Sequence, residues 1–198
     1  KVGNDIEKMV IVPEGAPTDI YTNVFLYSKD GKTKEFTIEE IGNRDLKAEG
    51  YVFVDRIDKL ISKGYAPEIY DFKMMDEGRT NDYIDVFFAD SGFKLLLVLS
   101  EVESANTKTM EELREILRAC KKHKIKVYPL TASRQEDVDA FRHEHQLDIP
   151  FYYGDKTNLK SIIRSNPGLL LFKENIVHNI WPSTRLPTAK RFLKQLNK

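Results

Sequence analysis

Phe93-Lys-Leu-Leu-Leu-Val-Leu99 decides the fold class. Apart from Lys94 it is apolar throughout, as a strand buried on both faces of a sheet must be. The period then changes. Between Lys108 and His123, the residues Met110, Leu113, Ile116, Leu117 and Cys120 recur at helical spacing and mark one apolar face. Ile125–Leu130 is the next apolar run and reads as a strand. Pro129 cannot donate one ladder bond, so this strand lies at a sheet edge or the proline lies at its end. Strand, amphipathic helix and strand in that order make a parallel unit with a right-handed crossover.

Downstream, Glu136–His145 carries Val138, Phe141 and His145 on one helical side. A short strand at Phe151-Tyr-Tyr153 and a short helix over Asn158–Arg164 follow. Leu169–Phe172 and Ile176–Trp181 flank Lys173-Glu-Asn175 and form an antiparallel hairpin. Ala189, Phe192, Leu193 and Leu196 mark a last helix. The order is β-α-β-α, a short βα excursion, then β-β-α. It predicts an α/β sheet with helices on both faces.

Upstream, Tyr21–Tyr27 and Thr33–Ile38 are aromatic and β-branched runs around Asp30-Gly31, which supplies the positive φ of a tight hairpin turn. Tyr51-Val-Phe-Val54 reads as a third short strand. The charged stretch Asp55–Lys63, closed by Gly64, is compatible with a helix and with an irregular turn. Residues 18–63 are therefore a β-rich extension, expected to pack on the main domain of residues 64–198 because it is short for an independent fold. Residues 1–17, with Pro13 and Pro17, read as an extended arm or linker that packs through Ile6, Met9 and Val10. The chain opens on Lys1 without a basic–apolar–small signal pattern, which suggests a processed or cut piece.

Composition removes several classes of function. The 198 residues hold 31 Lys+Arg and 31 Asp+Glu, a balance unlike that of a general nucleic-acid or anionic-membrane binder. A hydrophobic share of 41% excludes wholesale disorder. No apolar run approaches the roughly 18 residues of a membrane helix. One cysteine excludes an internal disulfide and a thiolate zinc cage, and leaves the redox compartment open. No glycine-rich phosphate loop is present.

Three segments resemble the thioredoxin fold, specifically its TlpA/peroxiredoxin-like branch. Gly64-Tyr-Ala-Pro-Glu-Ile-Tyr-Asp-Phe72 is similar to that branch's lead-in. Lys126–Ser133 with Ile149–Asp155 resembles its insertion, and Asn166-Pro-Gly-Leu-Leu-Leu-Phe-Lys-Glu-Asn175 resembles the segment around the fold's cis-proline. The resemblance implies a thioredoxin-like three-layer α/β/α fold with an N-terminal β-rich extension. Across the whole chain, Lys1-Val-Gly-Asn4, Ile11–Pro17, Lys34-Glu-Phe-Thr37 and Ile163–Gly168 resemble the soluble C-terminal part of Bacteroidetes DoxX/MauE-like membrane proteins. That resemblance implies an extramembrane domain, periplasmic, attached through a membrane portion upstream.

In thioredoxins a C-x-x-C pair lies at the start of the helix after the central strand, where the helix dipole and free N–H groups stabilise a thiolate. Glu103-Ser-Ala-Asn-Thr-Lys108 is the matching stretch, so the resemblance sets Ser104 at the attacking and Thr107 at the resolving position, with Ala105 and Asn106 between them. Hydroxyls cannot exchange disulfides. Ser104 has no histidine nearby in sequence to act as a base, and one of Ser104, Asn106 and Thr107 is expected to cap the helix. Glu101 and Glu103 lie at the strand tip beside this vestigial site, where they make it acidic or are simply solvated. Pro167 is cis in the resembling folds and leaves the backbone of Asn166 facing the helix start, an edge that would take an extended peptide by strand addition.

Cys120 falls on the buried helix face, as an inert small hydrophobe. His143 and His145 lie about 200° apart around their helix and cannot share a metal. No catalytic residue, metal or cofactor is expected. Two readings stay open. One is a redox-inactive binding or scaffolding module, whose partners are its own upstream membrane segment and an extended peptide or partner protein, with no nucleic acid. The other is an accessory domain of a membrane-bound thiol/quinone-linked oxidoreductase whose reactive cysteines lie in the membrane part.

Overall fold

The computed structural model describes residues 1–197, which divide into a larger unit, Lys1–Ile11 with Pro67 onward, and a smaller one, Val12–Ala66. The strands are β1 (Ile20–Lys29), β2 (Lys32–Thr37), β3 (Val52–Ser62), β4 (Phe93–Leu99), β5 (Lys126–Thr131), β6 (Tyr152–Tyr153), β7 (Gly168–Lys173) and β8 (Ile176–Pro182). The helices are α1 (Ile6–Val10), α2 (Ile38–Gly42), α3 (Ile84–Ala89), α4 (Met110–Lys122), α5 (Gln135–His145), α6 (Lys156–Ile162) and α7 (Ala189–Leu193). Among the described residues no helix is long and apolar enough to cross a membrane.

The larger unit is a five-stranded sheet in the order β6-β5-β4-β7-β8. β4 runs parallel to β5 and antiparallel to β7, and β7 is antiparallel to β8. Alternation along β4 sends Leu95, Leu97 and Leu99 to one face and Leu96 and Val98 to the other. The first face packs on Leu113 and Ile116 of α4, Val138 and Phe141 of α5 and Phe192 of α7. The second packs on Phe87 of α3, Leu159 of α6 and Ile6 of α1. Helices therefore cover both faces, and the βαβ and ββα halves meet as a thioredoxin-like three-layer α/β/α sandwich, the expected fold. Pro129 fits inside β5 because β6 pairs only with Leu130 and Thr131, so among the described residues the outer side of β5 has no strand partner at the proline.

Lys94 interrupts the apolar run and is fully buried. Its Nζ donates to the Phe87 carbonyl, to the Asp90 carbonyl at 2.9 Å and to Asn175 Oδ1 at 2.7 Å, and it lies 4.4 Å from the centre of the Phe87 ring. Burial pulls its pKa down from 10.5 to about 8. Asn175 in turn donates to Glu7 Oε2 at 2.6 Å and to the Phe88 carbonyl at 3.2 Å. Through this network one buried ammonium ties the end of α3, the β7–β8 turn and α1 together. The N-terminal arm is accordingly not extended throughout. Asp5 caps α1 by accepting from the Glu7 and Lys8 amides, and Ile6, Met9 and Val10 pack on the sheet as expected.

The smaller unit is a three-stranded antiparallel sheet, order β2-β1-β3. Asp30 (φ 50°) and Gly31 (φ 73°) make the tight turn between β1 and β2. β3 corrects the sequence reading: Asp55–Ser62 is neither helix nor turn but continues the strand begun at Val52. Pairing with β1 across its length holds it extended, with bulges near both ends. Thr37 and Glu40 form a reciprocal capping box that starts α2. The apolar residues buried here are Val24, Phe36 and Leu46, with Tyr27 and Tyr51 set edge-on to Phe36 at 5.6 and 5.1 Å.

Candidate functional site

The chain leaves the C-terminal end of β4 through the buried Ser100 and makes a 3₁₀ turn over Val102–Ser104. Ala105 and Asn106 are extended, and a second 3₁₀ turn over Thr107–Thr109 leads into α4. The helix thus begins at Met110, not Lys108, and Ser104 precedes it by a full irregular segment. Ser104 and Thr107 do not share one helical turn, because the two extended residues between them break it. None of the three expected caps serves α4, whose N-cap Thr109 makes no side-chain hydrogen bond; Asn106 caps the second 3₁₀ turn instead, its Oδ1 accepting from the Lys108 amide at 3.3 Å.

The Asn166–Pro167 bond is cis, and Asn166 meets the strand–helix junction directly. Its Nδ2 donates to the Glu101 carbonyl at 2.6 Å and to Ser104 Oγ at 3.1 Å, while Ser104 Oγ donates to the same carbonyl at 3.3 Å. The Asn106 amide donates to the Asn166 carbonyl at 2.8 Å. The backbone acceptor that an added strand would use is therefore engaged within the chain. Asn166 Oδ1 is buried and finds no partner among the described residues. Ser165 holds the proline from the other side. Its single hydroxyl proton goes to the Pro167 carbonyl at 2.8 Å, and its oxygen accepts from the Ser183 amide at 2.6 Å. Gly168 is required where β7 starts, because a Cβ there would lie 2.6 Å from the Ile163 side chain.

The two strand-tip carboxylates separate. Glu101 accepts from Lys156 at 2.6 Å, with Lys160 at 3.8 Å, and the Lys156 hydrogen bond holds its pKa below the ordinary carboxylate value. Glu103 turns away and accepts from Ser133 Oγ at 3.1 Å, and that oxygen accepts from the Val102 amide at 3.0 Å. Glu101 is thus ion-paired with lysine, and Glu103 anchors a loop. Lys156, Lys160 and Ser133 are site neighbours that the sequence reading passed over. The four-residue spacing of the lysines on one helix face was the available signal.

Among the described residues none at this junction is arranged to activate Ser104. Its neighbours are an amide, a carbonyl and backbone, none of which takes a proton at neutral pH. Cys120 lies elsewhere, fully buried in α4, and burial alone raises its pKa to about 12. Burial and a raised pKa both disfavour the thiolate, which is the reactive form of a cysteine. Among the described residues no three His, Cys, Asp or Glu side chains converge as a metal site.

Comparison with known proteins adds little to this geometry. Residues 21–63 match a family described as Domain of unknown function (DUF8463), which falls on the β1–β3 sheet and includes none of the junction residues. No curated protein matches the chain. A thiol:disulfide interchange protein from Bacteroides sp., solved in solution, is 14% identical over 64% of this chain and 86% of its own, with a TM-score of 0.49. Thiol peroxidase from Chromobacterium violaceum is 18% identical, covering 64% and 81%, with a TM-score of 0.45. StoA from Bacillus subtilis is 16% identical, covering 63% and 94%, also at 0.45. Likenesses this distant carry no activity across.

Proposed function

We propose that this chain is a thioredoxin-like domain without thiol–disulfide exchange, serving as a binding or scaffolding module of a membrane protein. The observation that supports it best is the hydroxyl network at the junction. Where a reactive thiol would stand opposite the cis-proline, Ser104 is fixed between the Glu101 carbonyl and the Asn166 amide. The chain's one thiol is buried in α4. Attachment to an upstream membrane portion, and a periplasmic setting, rest on the sequence resemblance to DoxX/MauE-like proteins. A partner that adds a strand at Asn166 must first displace the Asn106 amide from its carbonyl, so that edge is a guarded site rather than an open one.

The test is reduction of insulin by dithiothreitol with and without the chain. The reading requires a rate equal to that of dithiothreitol alone, and Cys120 unmodified by iodoacetamide until the protein is unfolded. Turnover above the thiol background would overturn it. Loss of that turnover in Cys120→Ala would point to the buried thiol, and persistence would point to chemistry at the junction.

A further inference from the structure

β3 is the outer strand of the smaller sheet. One side pairs with β1, and among the described residues no strand pairs with the other. All eleven of its residues are exposed, including Val52 (68%), Val54 (53%), Leu60 (45%) and Ile61 (66%). Long apolar edges invite pairing with another chain unless they are shortened, covered or charged. This edge does carry charges, and their order is specific.

Its centre reads Val54-Asp-Arg-Ile-Asp-Lys-Leu60. Laid antiparallel against a second copy with Ile57 opposite Ile57, Asp55 falls opposite Lys59 and Arg56 opposite Asp58. Val54 falls opposite Leu60. Directly opposed residues of an antiparallel pair share a face, so each of these couples sits side by side. Other registers lose this. A one-residue slip sets Asp55 against Asp58 in one direction and Arg56 against Lys59 in the other. A two-residue slip sets Arg56 against itself or Asp58 against itself. The segment is also the regular part of the strand: the register with β1 runs without interruption from Asp55 to Leu60, between the two bulges. Lys59 already reaches Glu35 at 2.5 Å across β1, which orders its side chain on the face where Asp55 of the second copy would arrive.

We propose that β3 is a self-complementary edge that joins two copies of this chain in a two-fold dimer, making one continuous six-stranded sheet. The occupant is a second copy and not an unrelated peptide because the charge order complements itself in one register and repels itself in the neighbouring ones.

Sedimentation equilibrium of the 198-residue chain tests this through charge exchange. The wild-type chain is expected to dimerise. Arg56→Asp and Asp58→Arg, each placing like charges opposite in both symmetry-related couples, should weaken the dimer by about tenfold or more. The double variant Arg56→Asp/Asp58→Arg should regain it. An equimolar mixture of the two single variants should form a heterodimer, since each then complements the other. A second readout does not depend on charge: Ile57→Cys should cross-link under mild oxidant, its opposed backbones being within disulfide reach, while Thr33→Cys in β2, on the far side of the sheet from β3, should not. A wild-type chain that stays monomeric, single variants that associate as the wild type does, or a mixture that stays monomeric would each overturn the proposal. Equal cross-linking at positions 57 and 33 would do the same.

Discussion

β3 and β4 are both built mainly from valine, leucine, isoleucine and phenylalanine, yet their surroundings are opposite. Leu95 to Leu99 are at most 1% exposed, while every residue of β3 is exposed. The difference lies in the layers, not in the strands. β4 sits centrally in its sheet, under helices on both faces. β3 ends a three-stranded sheet whose buried apolar residues are Val24, Phe36 and Leu46. The same residue types therefore stabilise the fold in one place and present a surface in the other.

The largest expected effect is on the buried side. Leu97→Ala should destabilise the larger unit by about 2–5 kcal/mol, because its fully buried site between close-packed layers leaves a cavity. Urea denaturation measures this, and a loss below about 1 kcal/mol would mean the sheet is less tightly covered than described. The smaller unit should show its weakness when isolated. Residues 12–66 alone are expected to melt without a cooperative transition, since so small a core does not offset the ordering of three strands. A sharp calorimetric peak for that fragment would break the contrast.

An intermediate effect belongs to Lys94. With a folded pKa of about 8 against 10.5 unfolded, the native chain releases this proton first. Between those values the unfolded chain holds more protons at this lysine, so its contribution to stability rises with pH, by up to about 1.4 kcal/mol per pH unit. Below pH 8 the lysine is charged in both states and its contribution is flat. Cys120, Tyr128, Tyr152 and Tyr153, which burial holds protonated to higher pH, act in the opposite sense once the ordinary thiol and phenol ranges are reached. The difference between wild type and Lys94→Met isolates the lysine: between pH 8 and 10.5 the wild type should gain stability relative to the variant as pH rises. An identical slope in both proteins would assign it elsewhere. The smallest effect is expected on β3, where Ile61→Ala should change stability by no more than about 0.5 kcal/mol.

The contrast also explains which parts were legible in the sequence. β4 declared itself because burial on both faces demands an unbroken apolar run, and α4 because its apolar face repeats at helical spacing. The second half of β3 did not. Asp55, Arg56, Asp58 and Lys59 break the alternation, and pairing with β1 rather than burial keeps the segment extended. α2 carried a readable signal, the Thr37–Glu40 capping box, which went unused, and α3 is too short to show a period. At the junction, resemblance located Ser104 and Asn166. The Asn106–Asn166 backbone bond and the pairing of Glu101 with Lys156 join residues too far apart in sequence for any local pattern to reveal, and the two 3₁₀ turns, three residues each, are too short to show a period.

Native-state hydrogen exchange on the whole chain tests the central contrast most directly. Amides of β4 and β7 should exchange only through global unfolding, with protection equal to the full stability, while those of β3 should exchange through far smaller openings when the chain is dilute. Equal protection of β3 and β4 under dilute conditions would contradict the account, for it would mean that the exposed strand is held as firmly as the buried one.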